Sequence, residues 1–128
     1  MHEILVLIVE DDGLIQLELE TALHEGGYST VAEVSGEGAV AKLETEPNVR
    51  AVITDINLQR ETSGWDVARR ARELFPDIPV IYVTSVAEAE WTSQGVPKSV
   101  LIPKPFAPSQ IRTAVSQLLN ATDTPPAA

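Results

Sequence analysis

A chain of 128 residues, 44% hydrophobic and 5% aromatic, fits one domain with a single core. Its formal net charge of −10, with nine basic residues clustered only at Arg69, Arg70 and Arg72, speaks against a footprint on a nucleic-acid backbone. The lack of cysteine excludes disulfides, thiol catalysis and thiolate metal sites. An apolar start that stops at Glu10 is too short for a signal peptide, and no stretch is long enough to span a membrane, so a soluble cytoplasmic protein is expected.

Taken in order, the first element is the unbroken apolar run Ile4 to Val9, a buried strand by its length and β-branching. Glu10, Asp11 and Asp12 follow where that strand should surface, and like charges there need a cation or a basic partner to stay ionised. Ile15, Leu19, Ala22 and Leu23 then recur at helical spacing, and Gly26-Gly27 supplies a stop. Val31 to Val34 reads as a second strand. Residues 36 to 46 read as a helix carried by Val40 and Leu43, and Ala51 to Thr54 as a third strand ending at Asp55.

Val67, Ala71, Leu74 and Phe75 mark another helix, stopped by Pro76. Pro79 to Val83 gives a fourth strand, followed by Thr84 and Ser85. A short helix over about Ala87 to Ser93 is bounded by Gly95 and Pro97, and Ser99 to Ile102 gives a fifth strand before Lys104. Ile111, Val115, Leu118 and Leu119 carry the last helix, and Thr122 to Ala128 lacks periodicity and reads as a tail, which leaves residues 1–121 as the domain.

Strict alternation of strand and helix implies a doubly wound α/β domain with a parallel five-stranded sheet and helices on both faces. Ligands of such sheets bind beyond the carboxyl ends of the strands. Reading those ends gives Glu10, Asp11 and Asp12, then Asp55, then Thr84 and Ser85, then Lys104. Each residue taken singly suits a helix start, a turn or a solvated surface. Acid, hydroxyl and ammonium groups on consecutive strand ends make a set with complementary chemistry.

Through Val9-Glu10-Asp11-Asp12, Thr54-Asp55-Ile56-Asn57-Leu58, Val83-Thr84-Ser85 and Lys104-Pro105-Phe106, the chain resembles the receiver domain of two-component response regulators, over residues 3 to about 120. The resemblance implies the strand order 2-1-3-4-5 and a phosphoacceptor role for Asp55, which takes a phosphoryl group from phosphohistidine as a carboxylate nucleophile. It implies an Mg2+ site at Asp11, Glu10, Asp55 and the backbone carbonyl of Asn57, with Asp12 only a helix-start charge. Lys104 would pair with a phosphoryl oxygen, ahead of a cis bond to Pro105, and Thr84 would hydrogen-bond the phosphoryl group and draw its loop inward.

The implied partners are a sensor histidine kinase or a histidine phosphotransfer protein and a downstream target reached in trans, since no output domain follows the last helix. The first helix, or the surface from the fourth helix to the fifth, would contact them. The protein would assist its own phosphorylation without being a turnover enzyme.

The sequence departs from the family pattern in three places. Gln59 stands where a proline is usual, and Gly64 falls one residue late, so a polar loop through Arg60, Glu61, Thr62 and Ser63 is one residue longer. Leu101 stands where many receivers carry a switch aromatic, and the stretch between Thr84 and Lys104 is short, with Trp91 within it. By the resemblance, Asn57 and Val86 stand at the two positions that in the family tune acyl-phosphate hydrolysis. These departures leave open a receiver-like interaction module that acts without phosphorylation. A dehalogenase-type phosphatase would need Asp-x-Asp after the first strand, and in a flavodoxin-like carrier the first-loop acids would repel the cofactor phosphate.

Overall fold

The computed structural model describes residues 3–85 and 88–123. Five strands and five helices alternate: β1 (Leu5–Val9), α1 (Gly13–Glu25), β2 (Ser29–Glu33), α2 (Gly36–Thr45), β3 (Val49–Asp55), α3 (Gly64–Leu74), β4 (Val80–Thr84), α4 (Glu88–Gln94), β5 (Val100–Pro103) and α5 (Pro108–Asp123). The strands form one parallel sheet in the order β2-β1-β3-β4-β5, as expected.

Because side chains alternate along a strand, the sheet divides the core in two. Val6 and Ile8 of β1, Ile53 of β3 and Ile81 and Val83 of β4 pack with Leu19 and Leu23 of α1 and Ile111, Val115 and Leu119 of α5. Leu7, Val9, Val52, Val80 and Tyr82 point the other way, onto Leu43 of α2 and Trp65, Val67 and Ala71 of α3. Each fully buried leucine or isoleucine contributes roughly 1.5–3 kcal/mol of transfer free energy.

Helix starts are set by side-chain caps. Asp12 Oδ1 accepts from the Leu14 and Ile15 amides at 2.9 and 3.2 Å, Ser35 caps α2, and Ser63 and Asp66 form a reciprocal capping box on α3. Asp12 is therefore spent on α1, in keeping with the helix-start role expected of it.

The strand limits differ from the apolar runs for reasons of pairing. β3 extends from Val49 to Asp55 because it is sandwiched between β1 and β4. β2 begins at Ser29, before its apolar residues, where the Ser29 amide bonds Ile4 O at 2.9 Å; it ends at Glu33, leaving Val34 exposed. α5 runs through Asp123, past the expected boundary at 121, and the remainder of the expected tail lies outside the described residues. Val86 and Ala87 lie outside them too, and α4 is described from Glu88. Among the described residues, no helix is long and apolar enough to cross a membrane.

Candidate functional site

Register brings the strand ends to one level. Val9 faces Thr54, so Glu10 and Asp55 come next to each other; Asp55 faces Val83, and Thr84 faces Pro103, directly before Lys104. Asp55 and Thr84 are the last residues of their strands rather than the first of the loops. Both are buried, with backbone fixed by the ladder.

At this rim Glu10, Asp11 and Asp55 bring carboxylate oxygens within 4.8 Å of one another. Lys104 Nζ lies 2.8 Å from Glu10 Oε1 and 3.3 Å from Asp55 Oδ2, bridging two of the three acids. The Lys104 amide bonds Thr84 O at 2.7 Å, which ties the lysine to the end of β4, and the bond from Lys104 to Pro105 is cis, as the family pattern implied. Asn57 donates its amide to Asp55 Oδ1 at 3.3 Å and sits exposed at the mouth.

Glu10 is the most deeply placed acid, only 1% exposed. Burial, followed by the negative charge of Asp55, pushes its carboxyl up to about 7 against the opposing pull of the Lys104 hydrogen bond. For Lys104, burial alone would lower the pKa, but the bond to Glu10 and the charge of Asp55 outweigh it and hold the ammonium above its ordinary value. Among the described residues, Lys104 sets one positive charge against these three acids. The donors are all oxygens, a set that suits a hard divalent cation of the magnesium type.

Gln16 escaped the sequence reading, and so did the close approach of Gly64 to Asp55. Gln16 donates its side-chain amide to Glu10 O at 3.3 Å and pins the β1–α1 turn from inside α1. Its spacing, three residues before Leu19 and seven before Leu23, placed a polar residue on the core-facing stripe and was the available signal. Gly64 begins α3 so close to the site that a Cβ there would lie 2.0 Å from Asp55 O, and its amide bonds Ile56 O at 2.9 Å.

The polar loop between them is anchored. Thr62 donates its amide to Glu37 at 3.2 Å and lies against Gly36 of α2, where a Cβ would meet Thr62 O at 2.4 Å, and Ser63 joins the α3 capping box.

A doubly wound sheet of this order, with acids, a hydroxyl and a lysine gathered at its carboxyl rim, defines a class of phosphoacceptor signalling domains. The chain belongs to the response regulator receiver domain family, whose model matches residues 6–116. It is 38% identical to a response regulator receiver protein from Sinorhizobium medicae WSM419, with a TM-score of 0.93, covering 95% of this chain and 98% of that one. It is 29% identical over 118 residues to the response regulator receiver protein CpdR of Brucella abortus, covering 91% of this chain and 97% of CpdR. The phyllosphere-induced regulator PhyR of Methylorubrum extorquens is 30% identical over 115 residues, but the chain spans only 43% of it, and about half of other matched regulators. The receiver domain of the Pseudomonas aeruginosa sensor kinase PA1611 shares the fold at a TM-score of 0.80 and 21% identity, and was solved with magnesium coordinated in its active site cleft.

Proposed function

We propose that the domain, extending through the end of α5, acts as a cytoplasmic phosphoacceptor receiver, with Asp55 taking a phosphoryl group from a phosphohistidine of a sensor kinase or histidine phosphotransfer protein. The observation that carries this reading is the convergence of three carboxylates within 4.8 Å, two of them bonded by Lys104, at the carboxyl rim of the sheet. Family membership supports it independently.

Asp11, Glu10, Asp55 and the Asn57 carbonyl would hold Mg2+. When bound, the ion neutralises charge and lets one anion approach another. An Asp55 carboxylate oxygen attacks phosphorus and forms the acyl phosphate bond, while the phosphorus–nitrogen bond breaks and its electron pair leaves with the imidazole. Lys104 exchanges its hold on Glu10 and Asp55 for a phosphoryl oxygen, keeping a positive charge against the developing negative one. Thr84, at the end of β4, donates its hydroxyl to the phosphoryl group and draws the following loop with it.

The donor's docking face is supported by Leu14 and Leu17, which leave 68% and 58% of their surface exposed on α1. Beside them a groove opens next to the lysine-bearing loop, lined by Leu17, Ala22, Phe106 and Pro108 together with the polar Glu18, Thr21 and Glu25. A helix carrying the phosphohistidine, apolar toward Leu14, Leu17 and Phe106 and basic toward Glu18 and Glu25, fits such a surface.

Incubation with a small-molecule phosphodonor and Mg2+, read by intact mass, tests the reading. Wild type should gain one phosphoryl group, and Asp55→Asn or omission of Mg2+ should abolish the gain. No gain in wild type under these conditions would favour an interaction module that acts without phosphorylation.

A further inference from the structure

We infer that α3 and the connection from α4 to β5 form one mechanical unit, through which the phosphorylation state of Asp55 reaches the carboxyl end of α4. The inference rests on the phosphoacceptor reading and concerns the route of the signal, which the aliphatic Leu101 on β5 leaves open.

The unit begins at the site. The first residue of α3, Gly64, is packed against the main chain of Asp55 so tightly that no side chain fits between them, and its amide bonds Ile56 O at 2.9 Å. The next residue, Trp65, is buried and lies 4.7 Å from Tyr82 between ring centroids, tilted by 58°. Tyr82 belongs to β4, two residues before Thr84. Both strand ends of the reaction site, that of Asp55 and that of Thr84, therefore meet at this ring pair.

From there three ties cross to the connection. The Tyr82 hydroxyl accepts from the Val96 amide at 3.1 Å. One turn along α3, Arg69 donates to Gln94 O at 3.4 Å and also bonds the Gln94 side chain. Arg72 donates to Pro97 O at 2.6 Å and to Ile78 O at 2.7 Å. Gln94 is the last residue of α4, so the arginines bind the segment where that helix ends.

The connection is itself locked to α4. The Trp91 indole N–H donates to Ser99 Oγ at 3.0 Å, Ser99 donates to Val96 O at 2.6 Å, and the Gly95 amide bonds Trp91 O at 2.9 Å. Packed interiors transmit displacement because they compress little. A shift of Asp55 or Thr84 main chain on phosphorylation must be absorbed at the Trp65–Tyr82 contact or passed on to Val96 and, through Ser99, to Trp91. Leu101 packs against the same core cluster and has no polar side-chain atom with which to make such a tie.

The test follows backbone amides and the Trp91 indole resonance by NMR in the full chain, first with Mg2+ and then with beryllofluoride added as a phosphoryl mimic. In wild type, Gly95 to Ser99 and the Trp91 indole should shift on adding beryllofluoride, together with Asp55 to Asn57. Tyr82→Phe, which keeps the ring against Trp65, and Arg72→Gln should each cut the shifts at Val96 and Trp91 by at least half, while Asp55 to Asn57 respond as in wild type. Should one variant fail to fold, the other carries the comparison. The inference is overturned if residues 95–99 stay still in wild type while Asp55 to Asn57 respond, or if a folded variant keeps the full shift. A wild type in which neither region responds and no phosphoryl group is gained overturns the phosphoacceptor reading itself.

Discussion

Side chains at the pocket rim meet chiefly as opposite charges, whereas most ties along the seam between α3 and the α4–β5 connection reach main chain. Glu10, Asp55 and Lys104 meet as charges; Arg69, Arg72 and Tyr82 meet carbonyls and an amide. A rim of this kind is rearranged by ligands, because each charge has more than one possible partner. A seam of main-chain bonds is fixed by the fold and moves only as the fold moves.

The largest effect should come from the tightest place where the two regions touch, at Gly64. Gly64→Ala would force a methyl group to within 2.0 Å of Asp55 O, so main chain must shift on both sides of the contact. The expected loss is about 3 kcal/mol or more, measured by denaturant unfolding. A loss under about 1 kcal/mol would mean that rim and seam are not rigidly joined.

Next comes the proton on Glu10. Its folded pKa of about 7 lies above the unfolded 4.5, so the native state holds more protons between those values. Stability of the metal-free chain should therefore fall as pH rises from about 4.5 to 7, by at most about 3 kcal/mol from this group. Mg2+ must displace that proton, so its affinity should rise over the same interval. In Glu10→Gln both slopes should flatten, as thermal unfolding and metal titration would record. Slopes equal to wild type would assign the proton elsewhere.

A smaller pair of effects separates neighbouring acids. Asp11→Asn should weaken Mg2+ binding roughly tenfold, or about 1.4 kcal/mol, with little change in stability. Asp12→Ala should do the reverse, costing about 1 kcal/mol of stability through the lost cap on α1 and leaving Mg2+ affinity within about twofold. If Asp12→Ala weakened metal binding as much as Asp11→Asn, the assignment of Asp12 to the helix alone would fail.

This contrast also explains what the sequence disclosed. Strand runs such as Ile4 to Val9, the order of the sheet and the acids, hydroxyl and lysine at its rim were all legible, because their residue types state their chemistry and the alternation of elements states where they go. The seam was not. Any residue offers a carbonyl, so nothing in the letters at positions 94, 97 and 78 announces that Arg69 and Arg72 will bind there. Trp91 stands in the sequence only as an aromatic within a short stretch, and its indole bond to Ser99 depends on a loop geometry that periodicity does not encode. The polar run from Arg60 to Ser63 suggested a loop without a template, yet its second half is held by Glu37 and Gly36, on a helix that sequence spacing alone did not bring near it.

The order of the sheet leaves β2 and β5 as its two edges. β5, the strand that delivers Lys104, is four residues long and ends in Pro103, which has no amide to offer a neighbouring chain; β2 has five residues and closes on Glu33. Short edges ended by a proline and an acid are poor templates for adding a foreign strand. With a net charge of −10 opposing close approach between copies, the chain should resist edge-to-edge aggregation at high concentration.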